Sequence, residues 1–267
     1  MSRKFSLRWP LLFSAFTFLS VLFPILAQAP AQSAGRASQR APISMEQEHH
    51  HHLEFENSYV RVFFVEIPSH ESTLFHRHDF PYLSVPPTGI GGAIPSSRGA
   101  AGQGTGLPMI GYSPGNFSHA VSNSQDFALR NVAIELLRPQ GGIHNRCEQA
   151  VRDQPKENCD IAEPSAAAPA THTPLLETDE LSVEAWHIAA NVTAPPWNDR
   201  ADILLASLGG VSVTSSGGID SVNVLKGGLL WLPAGSKPVF KTAPARDGHF
   251  IAITFKDSGS RPVSPSL

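Results

Sequence analysis

His76 and His78 stand two residues apart in the stretch Phe75-His76-Arg77-His78-Asp79-Phe80-Pro81-Tyr82. On a β-strand that spacing puts both imidazoles on one face, because side chains alternate with period two. A third histidine, His119, ends the segment Ser113-Pro114-Gly115-Asn116-Phe117-Ser118-His119 and can meet the pair from a neighbouring strand. Imidazole nitrogens favour a transition metal such as Fe, Zn, Cu, Ni or Mn over Mg or Ca, which prefer oxygen donors. Three protein ligands leave coordination positions open for water, dioxygen or a chelating small molecule.

Strands have to carry these side chains, and the sequence is rich in them. Tyr59 to Ile67 is dense in β-branched and aromatic residues and is stopped by Pro68, and Phe127 to Leu137 has the same character. With 21 Gly and 23 Pro the chain reads as many short strands joined by turns. The stretch from Pro86 to Pro108 is glycine- and serine-rich and reads as a long flexible excursion.

The H-x-H of His76 and His78, followed downstream by P-G-x-x-x-H ending at His119, resembles the two motifs of the cupins. The resemblance implies an all-β chain and one divalent transition metal held by His76, His78 and His119. Cupins usually add a glutamate a few residues after the second histidine, but Tyr82 and Leu83 stand there. Tyr82 is therefore a candidate second-shell partner. Glu135, on the Asn131/Ala133 face of its strand, is a candidate for the missing carboxylate or for an acid/base group.

The second half of the sequence repeats the first. An offset of 121 residues lays Val62 on Val183, Ile67 on Ile188 and Leu83 on Leu204. An offset of 119 lays Tyr112 on Trp231, Val132 on Ile251 and Ile134 on Ile253. A period this long is two copies of one architecture, which gives two double-stranded β-helix barrels in tandem, a bicupin. In the second copy Trp197, Asp199 and Pro238 occupy the ligand positions, and the sequence offers no other ligand cluster to replace them.

The expected organisation is a signal peptide over 1–29, a disordered lead-in over 30–47 and a first cupin domain over 48–140. A linker with a cysteine pair follows over 141–174, then a degenerate second domain over 175–258 and a tail over 259–267. Arg3, Lys4 and Arg8 precede the apolar run Leu11 to Leu26 and the small-x-small site Ala27-Gln28-Ala29, which is the pattern of a cleaved export signal. An uncleaved membrane anchor is the alternative. Export to the periplasm or the extracellular space makes a disulfide between Cys147 and Cys159 the expected state of that pair. Removing the signal takes three basic residues from 20 and leaves 17 against 23 acidic ones. That balance argues against nucleic acid or an anionic membrane surface as a partner and leaves a small-molecule ligand. The run His49 to His52 reads as a solvated polar edge, with accessory metal binding as its other reading.

Two functions fit the sequence. One is an exported metal-dependent dioxygenase or isomerase of a small organic compound. The other is a non-catalytic bicupin of the cell envelope that binds a small ligand or serves as a structural module. No residue is assigned a catalytic role, and no P-loop, nucleophile elbow or dinucleotide fingerprint supports a different chemistry.

Overall fold

The strand-forming runs fold as their alternation requires. The computed structural model describes residues 41–85, 107–194, 200–215 and 221–256. The expected signal peptide, most of the lead-in and of the glycine-rich stretch, Trp197, Asp199 and the tail lie outside the described residues.

The first part of the chain forms β1 (Ile43–Ser44), β2 (His51–Glu56), β3 (Val60–Ile67), β4 (His76–His78) and β5 (Tyr82–Val85). It continues with β6 (Gly111–Ser113), β7 (Phe117–His119), β8 (Leu129–Leu136) and β9 (His144–Asn145). The second part forms β10 (Ala170–Glu177), β11 (Leu181–Ile188), β12 (Asp202–Ser207) and β13 (Val211–Ser215). It ends with β14 (Val222–Val224), β15 (Leu229–Leu232), β16 (Pro238–Lys241) and β17 (Gly248–Phe255). One 3-10 turn, Met45–Gln47, is the only helical element among the described residues. None of these residues forms a helix long and apolar enough to cross a membrane.

The strands make four sheets, ordered β2-β3-β8-β5-β6 and β1-β4-β7 in the first half, and β15-β12-β17-β11-β10-β9 and β14-β13-β16 in the second. None of the four closes on itself, so each half is a pair of sheets around an interior, not a continuous barrel. β3 and β11 match in length at a spacing of 121 residues, and β8 and β17 at 119.

Alternation along β3 sends Phe63, Val65 and Ile67 into the first interior, where Met45 and Ala133 join them. Its other face carries Val60 and Val62, which belong to a core that also contains Ile134, Leu176, Val183, Leu204 and Ile253. The two halves therefore share one apolar layer, and Arg40–Leu267 is one compact unit. The interior of the second half is filled by Ile203, Leu205, Val213, Phe240 and Phe250. At roughly 1.5–3 kcal/mol for each fully buried aliphatic or aromatic side chain, the shared layer is a principal source of stability.

Two boundaries differ from the sequence expectation. The end of the expected lead-in is ordered: β1 runs parallel to β4, the Ile43 N–H donates to the Phe75 carbonyl at 3.1 Å, and Met45 is buried. A short polar stretch carries no periodic pattern, so only its docking against β4 reveals it. The linker is likewise built into the second half, since β9 pairs with β10 and β10 begins at Ala170. Asn145 organises this connection by accepting from the Val151 N–H at 2.7 Å and donating to the Val151 and Gln154 carbonyls at 2.7 and 2.9 Å. Cys147 and Cys159 form a disulfide with their Cα atoms 5.4 Å apart. Closing so short a loop contributes about 3 kcal/mol by constraining the unfolded chain.

Candidate metal centre

β4 shows the expected alternation, with His76 and His78 buried on either side of an exposed Arg77. β7 runs antiparallel beside it and sets His119 opposite His76 and Phe117 opposite His78. The turn before β7 fixes this register. Gly115 has φ +74°, and a Cβ there would collide with the Phe80 carbonyl, so glycine is required. Asn116, at φ 60°, donates its N–H to the His78 carbonyl at 2.7 Å, and its side-chain oxygen accepts from Arg77 at 2.6 Å. The residue between the two histidines thus staples their strand to the turn that delivers the third.

The three rings converge through Nε2. The His76 and His78 Nε2 atoms are 3.2 Å apart, and those of His78 and His119 are 3.1 Å apart. Ligand nitrogens around a zinc-sized ion at about 2.0–2.1 Å are separated by roughly 3.3 Å, so the spacing suits a shared ion. The structure adds a fourth histidine. His51 on β2 is buried, its ring lies 4.7 Å from that of His76, and the ligand atoms of His51, His76 and His78 all lie within 4.8 Å of one another.

Hydrogen bonds orient these rings. The His76 Nδ1 lies 2.8 Å from the Leu74 carbonyl, and the His51 Nδ1 lies 2.6 Å from Glu48 Oε2. A carbonyl or carboxylate can only accept, so Nδ1 carries the proton in both rings and the Nε2 lone pair is left for an ion. Glu48 is itself buried and also accepts from the Leu74 and His50 N–H groups at 3.1 and 3.0 Å. Burial pushes its pKa up, but the hydrogen bond from His51 and those backbone donors outweigh this and hold it below the ordinary value.

Burial also disfavours protonation of His51, His78 and His119. His78 is pushed down to about 3, first by desolvation and then by the charges of His119, His76 and His51. His119 falls to about 4 by desolvation and by His76 and His51. These shifts carry a prediction for the metal-free protein. The unfolded chain binds a proton on each histidine near pH 6.5, whereas the folded chain does so only near pH 4 and pH 3, so stability falls as pH drops between those limits. At pH 5 each histidine should cost about 2 kcal/mol relative to pH 7. Urea midpoints measured with chelator present should show this loss, and a His78→Phe variant should show a smaller one.

The other sequence candidates fall differently. Tyr82 stacks on the His78 ring, with centroids 4.4 Å apart, and its phenol is hydrogen-bonded to Ser113, so it walls the site. Glu135 is buried on the inner face of β8, but its carboxylate is 2.6 Å from the Arg61 guanidinium, which also engages Glu46. Desolvation raises the Glu135 pKa and Arg61 counters it in part. Glu135 is thus paired with Arg61 and stands outside the histidine group. The His49–His52 run is not uniformly a solvated edge: His49 and His52 are exposed, while His50 and His51 are buried. The alternation of β2 was the available signal, but a run of identical residues does not show which member points inward. In the second half, Pro238 is buried at the start of β16. Contrary to the expectation that this half has no ligand cluster, His187, Asp247 and His249 come together there.

A cavity of about 70 Å³ adjoins the centre, lined by His51, His78, His119, Tyr82, Ser84 and Asn131 among others. Asn131 donates to Ser84 Oγ at 3.1 Å, and its own oxygen is buried without a protein partner. The His78 Nδ1 is likewise a buried polar atom without one.

No protein-family model matches the sequence, and no curated protein matches it. Solved structures do. A salicylate 1,2-dioxygenase G106A mutant from Pseudoaminobacter salicylatoxidans, in complex with gentisate, is 12% identical at a TM-score of 0.51, over 83% of this chain and 81% of that one. A glyoxylate-induced protein from Pseudomonas aeruginosa is 12% identical at 0.51, over 79% of this chain and 80% of its own. A cupin 2 conserved barrel domain protein from Leptotrichia buccalis is 10% identical at 0.47, over 77% and 88%. At these identities the likeness of this all-β chain to those proteins is one of fold alone.

Proposed function

We propose that the first half is a metal centre for a small organic compound, with His76, His78 and His119 as ligands and His51 beside them. The observation that carries this reading is the convergence of the His76, His78 and His119 Nε2 atoms at 3.2 and 3.1 Å, with the His76 ring oriented by its Nδ1 hydrogen bond and His51 oriented beside it by Glu48. A divalent transition metal there would supply Lewis-acid or redox activation of a small molecule. The protein's own part is to keep His78 and His119 neutral, to fix the tautomer of His76 and to limit the access of bulk water. The favoured activity is that of a metal-dependent dioxygenase or isomerase. The fold shared with a salicylate dioxygenase supports it, and that protein's complex with gentisate suggests hydroxylated aromatic acids as the first compounds to try. An exported, tandem two-repeat chain with a cleaved signal belongs to the same proposal. The disulfide suits an oxidising compartment, and the equal lengths of β3 and β11 and of β8 and β17 suit a duplication.

One observation favours a non-catalytic binder instead. Tyr82 stands where cupins usually place a glutamate and Glu135 is paired with Arg61, so neither supplies a carboxylate to the histidine group. Oxygen uptake and product analysis with Fe(II)-loaded, tag-free protein on a panel of small aromatic and hydroxy acids would decide between them. Turnover that disappears in His76→Ala supports the enzyme. Metal loading and calorimetric ligand binding without turnover of any panel compound would establish the binder.

A further inference from the structure

We propose that His187, Asp247 and His249 form a second divalent transition-metal site, on the second half, with Glu163 orienting His187 from the connecting segment. His187 on β11 and His249 on β17 are direct register partners, with ring centroids 4.1 Å apart. Cross-strand partners project to the same side of a sheet, so the two imidazoles form a ready-made pair. By alternation His187 shares a face with Val183 and Ala185, and His249 shares it with Ile251 and Ile253. That is the face turned toward the first half, not the interior where Pro238 lies.

The carboxylates complete the arrangement. Asp247 just precedes β17, and its Oδ1 is pinned by the Ala190 N–H at 2.8 Å. Its Oδ2 is left 3.2 Å from His187 Nε2. On the other side of the same ring, Glu163 Oε2 lies 3.1 Å from Nδ1. If Nδ1 carries the proton to Glu163, then the Nε2 lone pair faces a carboxylate oxygen. Two acceptors at that distance repel unless a cation lies between them. A second proton on His187 would satisfy that one pair and leave the adjacent His249 without a role. A metal ion satisfies all three groups, whose ligand atoms lie within 4.8 Å of one another, and makes Glu163-His187-metal a carboxylate–histidine–metal relay.

Two nitrogens and one oxygen suit zinc, nickel, copper or cobalt better than magnesium or calcium. Asp247 and Glu163 balance the dipositive charge. His187, His249 and Glu163 also line a cavity of about 280 Å³, whose other walls include Ile161, Leu107 and Trp186. The open coordination position therefore has room for water or a small anion. Because Glu163 follows Cys159 closely, an ion here would hold the disulfide-bearing segment down on the second half.

Zinc titration of the metal-stripped full chain tests this independently of the first centre. In a His76→Ala/His78→Ala background one zinc per chain should still bind at pH 7. Adding His249→Ala should weaken that binding at least tenfold, and Glu163→Gln should weaken it by about 10–100-fold, the usual effect of losing a ligand-orienting partner. If the double variant does not fold by circular dichroism, wild type and His249→Ala are compared directly, and the single variant should bind one fewer zinc. Equal stoichiometry and affinity with and without His249, or no zinc bound by a folded double variant, would overturn the site.

Discussion

His78→Ala should remove one equivalent of tightly bound transition metal per chain at pH 7 while leaving a folded protein. His78 is the hub of the first centre, since its Nε2 is within 3.2 Å of both the His76 and the His119 nitrogens. Removing it breaks the set more completely than losing an end member. The neighbouring variants sharpen the assignment. Glu48→Gln should weaken the metal by about 10–100-fold, because Glu48 anchors Leu74, whose carbonyl orients the His76 ligand, and also holds the neighbouring His51 ring. His49→Ala and His52→Ala should leave it unchanged, since both side chains point to solvent. Elemental analysis of tag-free protein and competition with a chromophoric chelator measure all four. Retention of the metal in His78→Ala together with its loss in His49→Ala would place the site at the exposed run.

Ile253→Ala should destabilise the whole protein, not just the second half. Ile253 is fully buried in the layer shared by both halves, and truncating such a residue costs about 2–5 kcal/mol. Urea unfolding followed by tryptophan fluorescence and by far-UV circular dichroism should give one coincident transition shifted to lower midpoint. Two transitions, one of them unshifted, would show that the halves unfold independently and that the shared layer contributes little.

What the sequence made legible follows from periodicity. The buried-exposed-buried pattern of His76, Arg77 and His78 could be read from spacing alone, and so could the inward face of β8 on which Glu135 lies. Partners set by register could not. Arg61 sits directly opposite Glu135 across β3 and β8, but that pairing is known only once the strands are aligned. The same holds for His187 and His249, brought side by side from distant points in the chain. Glu48 and His51 were hidden for a different reason. They lie where a polar sequence offers no apolar alternation, and their burial comes from the docking of the Ile43–Gln47 segment against β4.

The shared layer also sets the smallest version of this protein that can exist in solution. A chain trimmed to its first half would keep every histidine of the first centre and lose the cover on the outer face of β3, β5 and β8. Val60, Val62, Leu83, Val85, Val132 and Ile134 would then form a continuous apolar sheet surface open to water. Such a fragment would pair with another copy of itself or aggregate. The half without interior histidines is thus the partner surface that keeps the histidine-bearing half from self-association.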